Sequence, residues 1–170
     1  MAIECFKVEW TKPFPFGEVL LQPEAKMGGV YALFRGEAKK LYYIGKATRF
    51  DNRLSSHRQS VFRMMSETER KKCSVSLGIT SSFEVNRMSD TTPAQLGSIE
   101  NFLITRLQPV GNGDSTKRRD TGKYPLILIN AGSVFKPLEK FMSQSPDLLK
   151  AHGKTITTRK KKSASYPSWY

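Results

Sequence analysis

The stretch GVYALFRGEAKKLYYIGKATRFDNRLSSH, residues 29–57, carries the pattern that decides the predicted fold. Its segments GGVYALF (28–34) and KKLYYIG (39–45) are short and rich in β-branched and aromatic residues, and Gly36 supplies a turn between them. Two such runs on either side of a turn are typical of a β-hairpin. Beyond the hairpin the apolar residues recur at helical spacing, which predicts a helix of roughly 15 to 20 residues beginning at Phe50.

Downstream segments predict a third strand and a second long helix. CSVSLGI (73–79) alternates in polarity, as a strand does, and SFEVNRM (82–88) either extends it or forms a neighbouring strand. Thr92 as N-cap, followed by Pro93 at the first helical position, predicts a helix that ends before Pro109. The predicted core therefore runs in the order hairpin, helix, strand, helix.

These elements give an α/β fold class, in which a small three-stranded, mainly antiparallel sheet is flanked by helices. A chain of 170 residues suits one domain with a real core and added segments. We assign residues 28–112 to the core, 1–27 to an N-terminal extension and 113–170 to a C-terminal extension. Within the last, YPLILINAG (124–132) contains another strand candidate and FKPLEKFMS (135–143) favours a short helix.

The charge balance predicts a polyanionic partner. The chain holds 28 Lys and Arg against 15 Asp and Glu, a formal net charge of +13, and nucleic acid is the first partner to test. Residues 113–170 hold 12 of these cations and 4 of the carboxylates. A solubilising tail is the alternative reading. We predict backbone contacts to DNA from Lys117, Arg118, Arg119, Arg159, Lys160, Lys161 and Lys162.

Other classes of protein fit the sequence poorly. There is no apolar run of about 18 residues, no signal peptide and no basic amphipathic or lipidated N-terminus, so we expect a soluble, cytoplasmic protein without a membrane partner. Cys5 and Cys73 lie far apart without a CxxC pair, and the chain has only two histidines. We therefore predict reduced thiols and no zinc site.

The second helix carries a carboxylate where an apolar residue is expected. On a helical wheel, Glu100 falls in the middle of a face made by Leu96, Ile99, Leu103, Ile104 and Leu107. An ionised carboxylate is costly there unless it is paired with a cation or bound to a metal. A structural ion pair with Arg53 or Lys46 is one explanation of this position. The other is a functional site.

Polar residues of the hairpin and the first helix favour the functional site. Arg53 and His57 are four residues apart and share a helical face. Tyr31, Tyr43 and Lys46 lie on the predicted hairpin, so two cations and a carboxylate converge on the same sheet. Each residue alone is usually solvated or satisfied in the core, but together they indicate a site.

The joint pattern resembles the signature of the GIY-YIG nuclease family. The resemblance covers about residues 28–112 and rests on seven features in the same order, GVY (29–31), YIG (43–45), Lys46, Arg53, His57, Glu100 and Asn112. His57 stands where many members carry Tyr, and is similar to the variant among type II restriction endonucleases of the family. The resemblance implies a small α/β core with the active site across the sheet face.

The resemblance also implies roles for these residues. Glu100 would bind one divalent metal, for which a hard carboxylate favours Mg²⁺ or Mn²⁺. Arg53 would contact the scissile phosphate. Tyr31 is the candidate general base if Lys46 and Arg53 lower its pKa, and His57 is the rival. Tyr43 would orient water or phosphate, and Asn112 would fix the site by hydrogen bonds or serve the fold alone.

The resulting expectation is a metal-dependent endonuclease that hydrolyses phosphodiester bonds in double-stranded DNA. A site-specific enzyme of restriction or phage and mobile-element type is the first reading, and a homodimer would allow both strands to be cut. A structure-specific repair or recombination nuclease is the second reading. The third is a nucleic-acid-binding module without cleavage.

Overall fold

The computed structural model of the chain describes residues 3–36, 39–57, 65–84, 87–117 and 125–144. Over these residues the fold is mixed α/β, with one sheet of eight strands and few helices. The strands are β1 (Glu4–Trp10), β2 (Phe14–Pro15), β3 (Gly29–Arg35), β4 (Lys40–Ala47), β5 (Ser74–Glu84), β6 (Arg87–Asp90), β7 (Leu126–Gly132) and β8 (Phe141–Ser143). The helices are α1 (Phe50–His57), α2 (Glu67–Lys71), α3 (Pro93–Leu107) and three 3-10 helices at Phe16–Leu21, Pro23–Lys26 and Val110–Lys117.

The sheet is larger than the three strands predicted. Its order is β4-β3-β5-β1-β7-β8, with β2 and β6 also paired to β5, and only the β1–β7 pair is parallel among those described. The predicted hairpin is confirmed as β3 and β4, and the third strand as β5. The count of three is wrong because β1, from the N-terminal segment, inserts between β5 and β7.

The signal for β1 is present in the sequence. Phe6, Val8 and Trp10 are buried and alternate with Lys7 and Glu9, the period-two pattern of a strand with one face against the core. Its central place depends on pairing with β5, whose partner residues are 68 to 76 positions away, and with β7, whose partner residues are 122 positions away. Local patterning does not specify such pairings.

The helix predictions are confirmed at their starts. α1 begins at Phe50, and the chain between residues 58 and 64 lies outside the described residues. Ser66, in extended backbone, caps α2 as a separate helix through a capping box with Glu69. α3 begins at Pro93, with the predicted N-cap Thr92.

The helix predicted over residues 135–143 is wrong. Lys136 and Pro137 form a turn, and Phe141–Ser143 is β8, paired with β7. The main chain is held there by buried Asn130, whose Nδ2 donates to the Glu139 carbonyl at 2.7 Å while its N–H donates to the Lys140 carbonyl at 2.8 Å. These long-range hydrogen bonds outweigh a weak local preference for helix.

Alternation along β3 divides the core into two layers. Val30, Ala32 and Phe34 pack with the apolar face of α3 on one side of the sheet. Tyr31 and Leu33 pack on the other side with Phe50 and Leu54 of α1. Because β4 is the edge strand of the main path, helices from both faces can meet around its end.

The helices of the described residues are short. None of them is long and apolar enough to cross a membrane. The longest, α3, has 15 residues and carries Glu100 within its apolar face.

Gly29 is expected to tolerate no side chain. Its φ is +153°, and a Cβ there would overlap with the Gly78 carbonyl oxygen of β5. We expect Gly29→Ala to lower the free energy of unfolding by about 2–4 kcal/mol, because backbone strain and the steric overlap add. Urea unfolding followed by circular dichroism measures the loss.

Gly17→Ala is the matched control for this prediction. Gly17 is exposed, and a Cβ built there meets no atom within 4 Å. Its effect should stay within about 0.5 kcal/mol. Equal effects of the two substitutions would contradict the close approach of β3 and β5 at Gly29.

Candidate active site

A cleft of about 560 Å³ opens at the end of β4, between α1 and the first turns of α3. Its charged lining residues are three cations and one carboxylate, namely Lys46, Arg49, Arg53 and Glu100. Lys46 is the penultimate residue of β4, Arg49 directly precedes α1, and the other two come from the helices. The cleft therefore joins elements from both faces of the sheet at its edge.

Tyr31 is placed beside this cleft by a glycine on the facing strand. The hairpin register sets Tyr31 opposite Gly45, and a Cβ at Gly45 would overlap with the Tyr31 ring and hydroxyl. The ring is fully buried, with its centroid 6.1 Å from that of Tyr43 and 6.3 Å from that of Phe50. Gly45 thus lets a large side chain lie across β4 toward α1.

Arg53 is held by both tyrosines. Burial acts to lower the pKa of Arg53, but charge and hydrogen-bonding interactions with the hydroxyl groups of Tyr31 and Tyr43, one on each strand of the hairpin, raise it above its ordinary value. The side chain is otherwise exposed and lines the cleft. A guanidinium has five N–H donors, so donors remain for a ligand in the cleft after both tyrosines are satisfied.

The electrostatic setting of Tyr31 is the opposite of the one expected. Burial raises the pKa of the Tyr31 hydroxyl far above its ordinary value, and Tyr43 raises it further. Arg53 lowers the pKa of Tyr31 but does not offset burial. The hydroxyl therefore keeps its proton at neutral pH in the DNA-free protein, where it can donate a hydrogen bond but is a poor base. The role of Tyr31 as general base stays a prediction.

Glu100 lies at the cleft with a cation beside it. Its side chain is 19% exposed, and Lys46 Nζ lies 3.7 Å from its Oε2. Burial raises the pKa of Glu100 above its ordinary value, although the Lys46 ammonium and backbone N–H and the Arg53 guanidinium act in the opposite direction. Gly97 leaves room for this arrangement, since a Cβ there would lie 2.9 Å from Lys46 Nζ.

The long ion pair leaves the Glu100 carboxylate able to accept more partners. A separation of 3.7 Å is beyond the usual 2.7–2.9 Å of a charge-assisted hydrogen bond. The ion pair considered from the sequence is therefore present, but it does not saturate the carboxylate. Both readings of Glu100, structural and functional, are compatible with this geometry.

Asn112 completes the edge of β4. Its Oδ1 accepts from the Ile44 N–H at 2.9 Å, and its Nδ2 donates to the Ile44 carbonyl at 2.8 Å. The amide thus replaces the strand neighbour that an edge strand lacks. Asn112 holds β4 in place next to Lys46 but does not line the cleft. Its two hydrogen bonds to Ile44 give the residue a structural role.

The other predicted site residues lie at the margin or beyond the described residues. His57 ends α1, one turn after Arg53, and Lys117 ends the last 3-10 helix. The side chains of His57 and Lys117 lie outside the described part of the chain. The other predicted DNA contacts, Arg118, Arg119, Arg159, Lys160, Lys161 and Lys162, lie outside the described residues and stay predictions.

Arg49 is a cleft residue that the sequence reasoning missed. Its Nη2 lies 2.7 Å from Asp51 Oδ2 and its Nε 3.2 Å from Asp51 Oδ1, a two-point contact that holds the pKa of Asp51 below its ordinary value. The sequence feature that could have identified Arg49 is its position four residues before Arg53, directly before the first residue of α1.

The cleft suits a hydrated metal ion better than a caged one. Among the described residues, no group of three or more His, Cys, Asp or Glu side chains could hold a metal. Mg²⁺ commonly binds through one or two carboxylates and retains several waters. Glu100 fits this single-carboxylate mode, with Mg²⁺ or Mn²⁺ as the matching hard cations.

Replacing Glu100 by glutamine should stabilise the fold at neutral pH. The folded state raises the pKa of Glu100, so the ionised carboxylate lowers the free energy of unfolding. This destabilisation is absent below the unfolded pKa of about 4.3 and complete above the folded pKa. The free energy of unfolding of Glu100→Gln should therefore exceed that of the wild type at pH 7 and match it near pH 3. Urea unfolding at both pH values measures the difference.

Glu69→Gln is the matched control, with the opposite sign. The Ser66 N–H, together with the Arg35 guanidinium, lowers the pKa of Glu69 to about 2. Its stabilising effect is therefore present above the unfolded pKa and lost as the pH falls toward 2. Glu69→Gln should lower stability at pH 7. Equal stability of the wild type and Glu100→Gln at pH 7 would show that the neighbours of Glu100 fully compensate its charge.

Comparison with known proteins does not assign the chain to a family. No protein-family model, curated protein or solved structure gives a significant match to it. The function proposed below therefore depends on the residues of the chain itself and on the geometry of the cleft.

Proposed function

We propose that the chain is a metal-dependent endonuclease that hydrolyses phosphodiester bonds in double-stranded DNA, with a GIY-YIG-type catalytic core in residues 28–112. The observation that carries the proposal is one cleft in which Arg53, which interacts with two tyrosine hydroxyls, lines the same space as the half-buried Glu100 carboxylate. The sequence signature and the net charge of +13 support the choice of substrate.

The charges of the cleft match the needs of phosphodiester hydrolysis. Arg53, Lys46 and Arg49 offer positive charge to the non-bridging oxygens of a phosphate. A carboxylate in a site that only binds phosphate would weaken binding by repulsion. Glu100 is therefore better explained as a ligand of a hard cation. Mg²⁺ or Mn²⁺ held there would act as a Lewis acid and lower the pKa of a bound water.

The protein groups then divide the remaining work. Arg53 forks onto the scissile phosphate with the donors that the tyrosines leave free. Lys46 stays near Glu100 and contributes charge on the same side of the cleft. The raised pKa of Tyr31 favours a role in orienting Arg53 rather than in accepting a proton. His57, one helical turn beyond Arg53, is the rival general base.

Two other functions keep some support. A structure-specific repair or recombination nuclease would use the same cleft, and would cut branched or flapped DNA regardless of sequence. A non-cleaving binding module would need the cations but not the carboxylate. We favour a site-specific enzyme of restriction or mobile-element type, because the His57 variant resembles that group.

The test of the function is the loss of cleavage in Glu100→Gln. We expect Mg²⁺-dependent cleavage of mixed plasmid and genomic DNA to fall by a factor of at least a thousand, because the proposed metal ligand is removed. DNA affinity should stay equal or rise, since a negative charge near the phosphate is lost. Glu69→Gln, which alters a carboxylate on α2, is the control and should cut normally.

The products and the binding data separate the three functions. Discrete fragments indicate a site-specific enzyme, and preference for flapped over linear duplexes indicates a structure-specific one. Retained binding without cleavage by the wild type, in Mg²⁺ or Mn²⁺, would indicate a binding module. Cleavage by Glu100→Gln within tenfold of the wild type would contradict the metal assignment.

Tyr31→Phe tests whether the buried hydroxyl orients Arg53 or accepts a proton. We expect single-turnover cleavage to slow by up to about a hundredfold, because Arg53 loses one of its two anchors, while the pH–rate profile keeps its shape. Tyr43→Phe is the matched control, since it removes the other anchor. A profile that loses its ascending limb in Tyr31→Phe alone would assign the base to Tyr31, and loss in His57→Phe alone would assign it to His57.

A further inference from the structure

A second cavity of about 360 Å³ adjoins the cleft. It shares two lining residues with the cleft, Thr48 and Leu96, so the two spaces are neighbours across one wall. Gly28 forms part of that wall, and a Cβ there would lie 2.5 Å from the Thr48 carbonyl oxygen. A side chain at Gly28 would therefore press on the backbone of Thr48, a residue that lines both spaces.

The second cavity differs from the cleft in charge. Within the described part of the chain, no Lys, Arg or His side chain lines it, whereas the cleft has three cations. Its one charged lining residue is Asp90, at the exposed end of β6. A phosphate placed there would be repelled by the carboxylate and would meet no compensating cation.

The remaining lining combines apolar side chains with hydroxyl groups. Met27, Ile79 and Leu96 supply the apolar part. Thr80 and Thr91 supply hydroxyls, which lie 2.5 Å from each other. Apolar walls with a few polar groups are typical of cavities that bind small organic ligands, and the volume lies within the usual range of about 300–1,000 Å³. The uncharged base of a nucleotide is a ligand group of this kind.

From these observations we propose that the second cavity binds a nucleobase of the DNA strand whose phosphate occupies the cleft, and that Asp90 reads the exocyclic amino group of that base. This inference rests on the proposed function and deepens it by naming a specificity determinant. The phosphate of a nucleotide would lie in the cleft, which has three cations. Its base would lie in the second cavity, whose one charged lining residue among those described is Asp90.

Asp90 gives the cavity a defined preference. An ionised carboxylate only accepts hydrogen bonds, so it favours the exocyclic amino donors of cytosine, adenine or guanine. Thymine has no amino group, and its one ring donor, N3–H, lies between the O2 and O4 acceptors, which repel the carboxylate. The resulting specificity concerns one nucleotide at a fixed distance from the cut. It adds to whatever recognition the segments outside the described residues provide.

The experiment compares the wild type with Asp90→Asn and with Glu67→Gln by sequencing the ends of the DNA that they cut. For the wild type we expect thymine to be depleted at one fixed position near the cut. An asparagine both donates and accepts, so Asp90→Asn should reduce that depletion by about fivefold to tenfold. Glu67→Gln makes the same change of charge on α2, away from both cavities, and should leave the depletion unchanged.

A binding selection keeps the test independent of catalysis. Duplexes with a randomised stretch are selected on Glu100→Gln protein with and without Asp90→Asn, in Ca²⁺, and the bound pools are sequenced. Loss of discrimination at one position with Asp90→Asn supports the inference. If Asp90→Asn tightens the binding of all sequences equally, the cavity takes a phosphate. If the selected pool is unchanged, the cavity takes no part in recognition. Either result overturns this inference and leaves the proposed function standing. A wild type that neither binds nor cuts DNA overturns the proposed function and this inference with it.

Discussion

The antiparallel register of β3 and β4 sets Tyr31 opposite Gly45, and the candidate site depends on this pair. The glycine leaves space for the phenol ring to cross the edge strand, where its hydroxyl interacts with Arg53. A slip of one residue would turn Tyr31 to the face that packs against α3. Arg53 would then lose one anchor and the cleft one wall.

Burial and charge oppose each other in this site. Burial raises the pKa of both Tyr31 and Glu100, and the nearby cations only partly reverse the effect. At neutral pH the conflict lowers the stability of the folded protein at Glu100, which is ionised in the unfolded state, but not at Tyr31, which is protonated in both states. Perturbed groups of this kind cluster at functional sites. The Arg35–Glu69 pair on the far side of the hairpin shows the contrasting case, in which neighbours stabilise the charge. The position of Glu100 is thus easier to explain by a ligand than by the fold.

Local sequence patterns predicted the parts of the fold that local interactions determine. The hairpin, the start of α1 at Phe50 and the cap of α3 at Thr92 follow from alternation, periodicity and capping chemistry within a few residues. The position of β1 and the strand at Phe141–Ser143 depend on partners far along the chain, so they could not be predicted in this way. Within the site, most of the charged and tyrosine residues that meet were predicted and Arg49 was missed. The sign of the Tyr31 pKa shift depends on its depth of burial, which only the packed structure gives.

The edge position of β4 explains how one small domain brings these groups together. A central strand would keep α1 and α3 apart on opposite faces, whereas at the edge both helices reach the end of the same strand. An edge strand also exposes unpaired backbone groups, a liability that Asn112 offsets at Ile44. The Lys46 N–H acts to lower the pKa of Glu100, so this carboxylate lies near the same edge. The edge of β4 is therefore covered next to the residues that build the site, although Asn112 does not line the cleft. It follows that a variant which frees the edge of β4 should disturb the cleft even when the substituted residue does not line it.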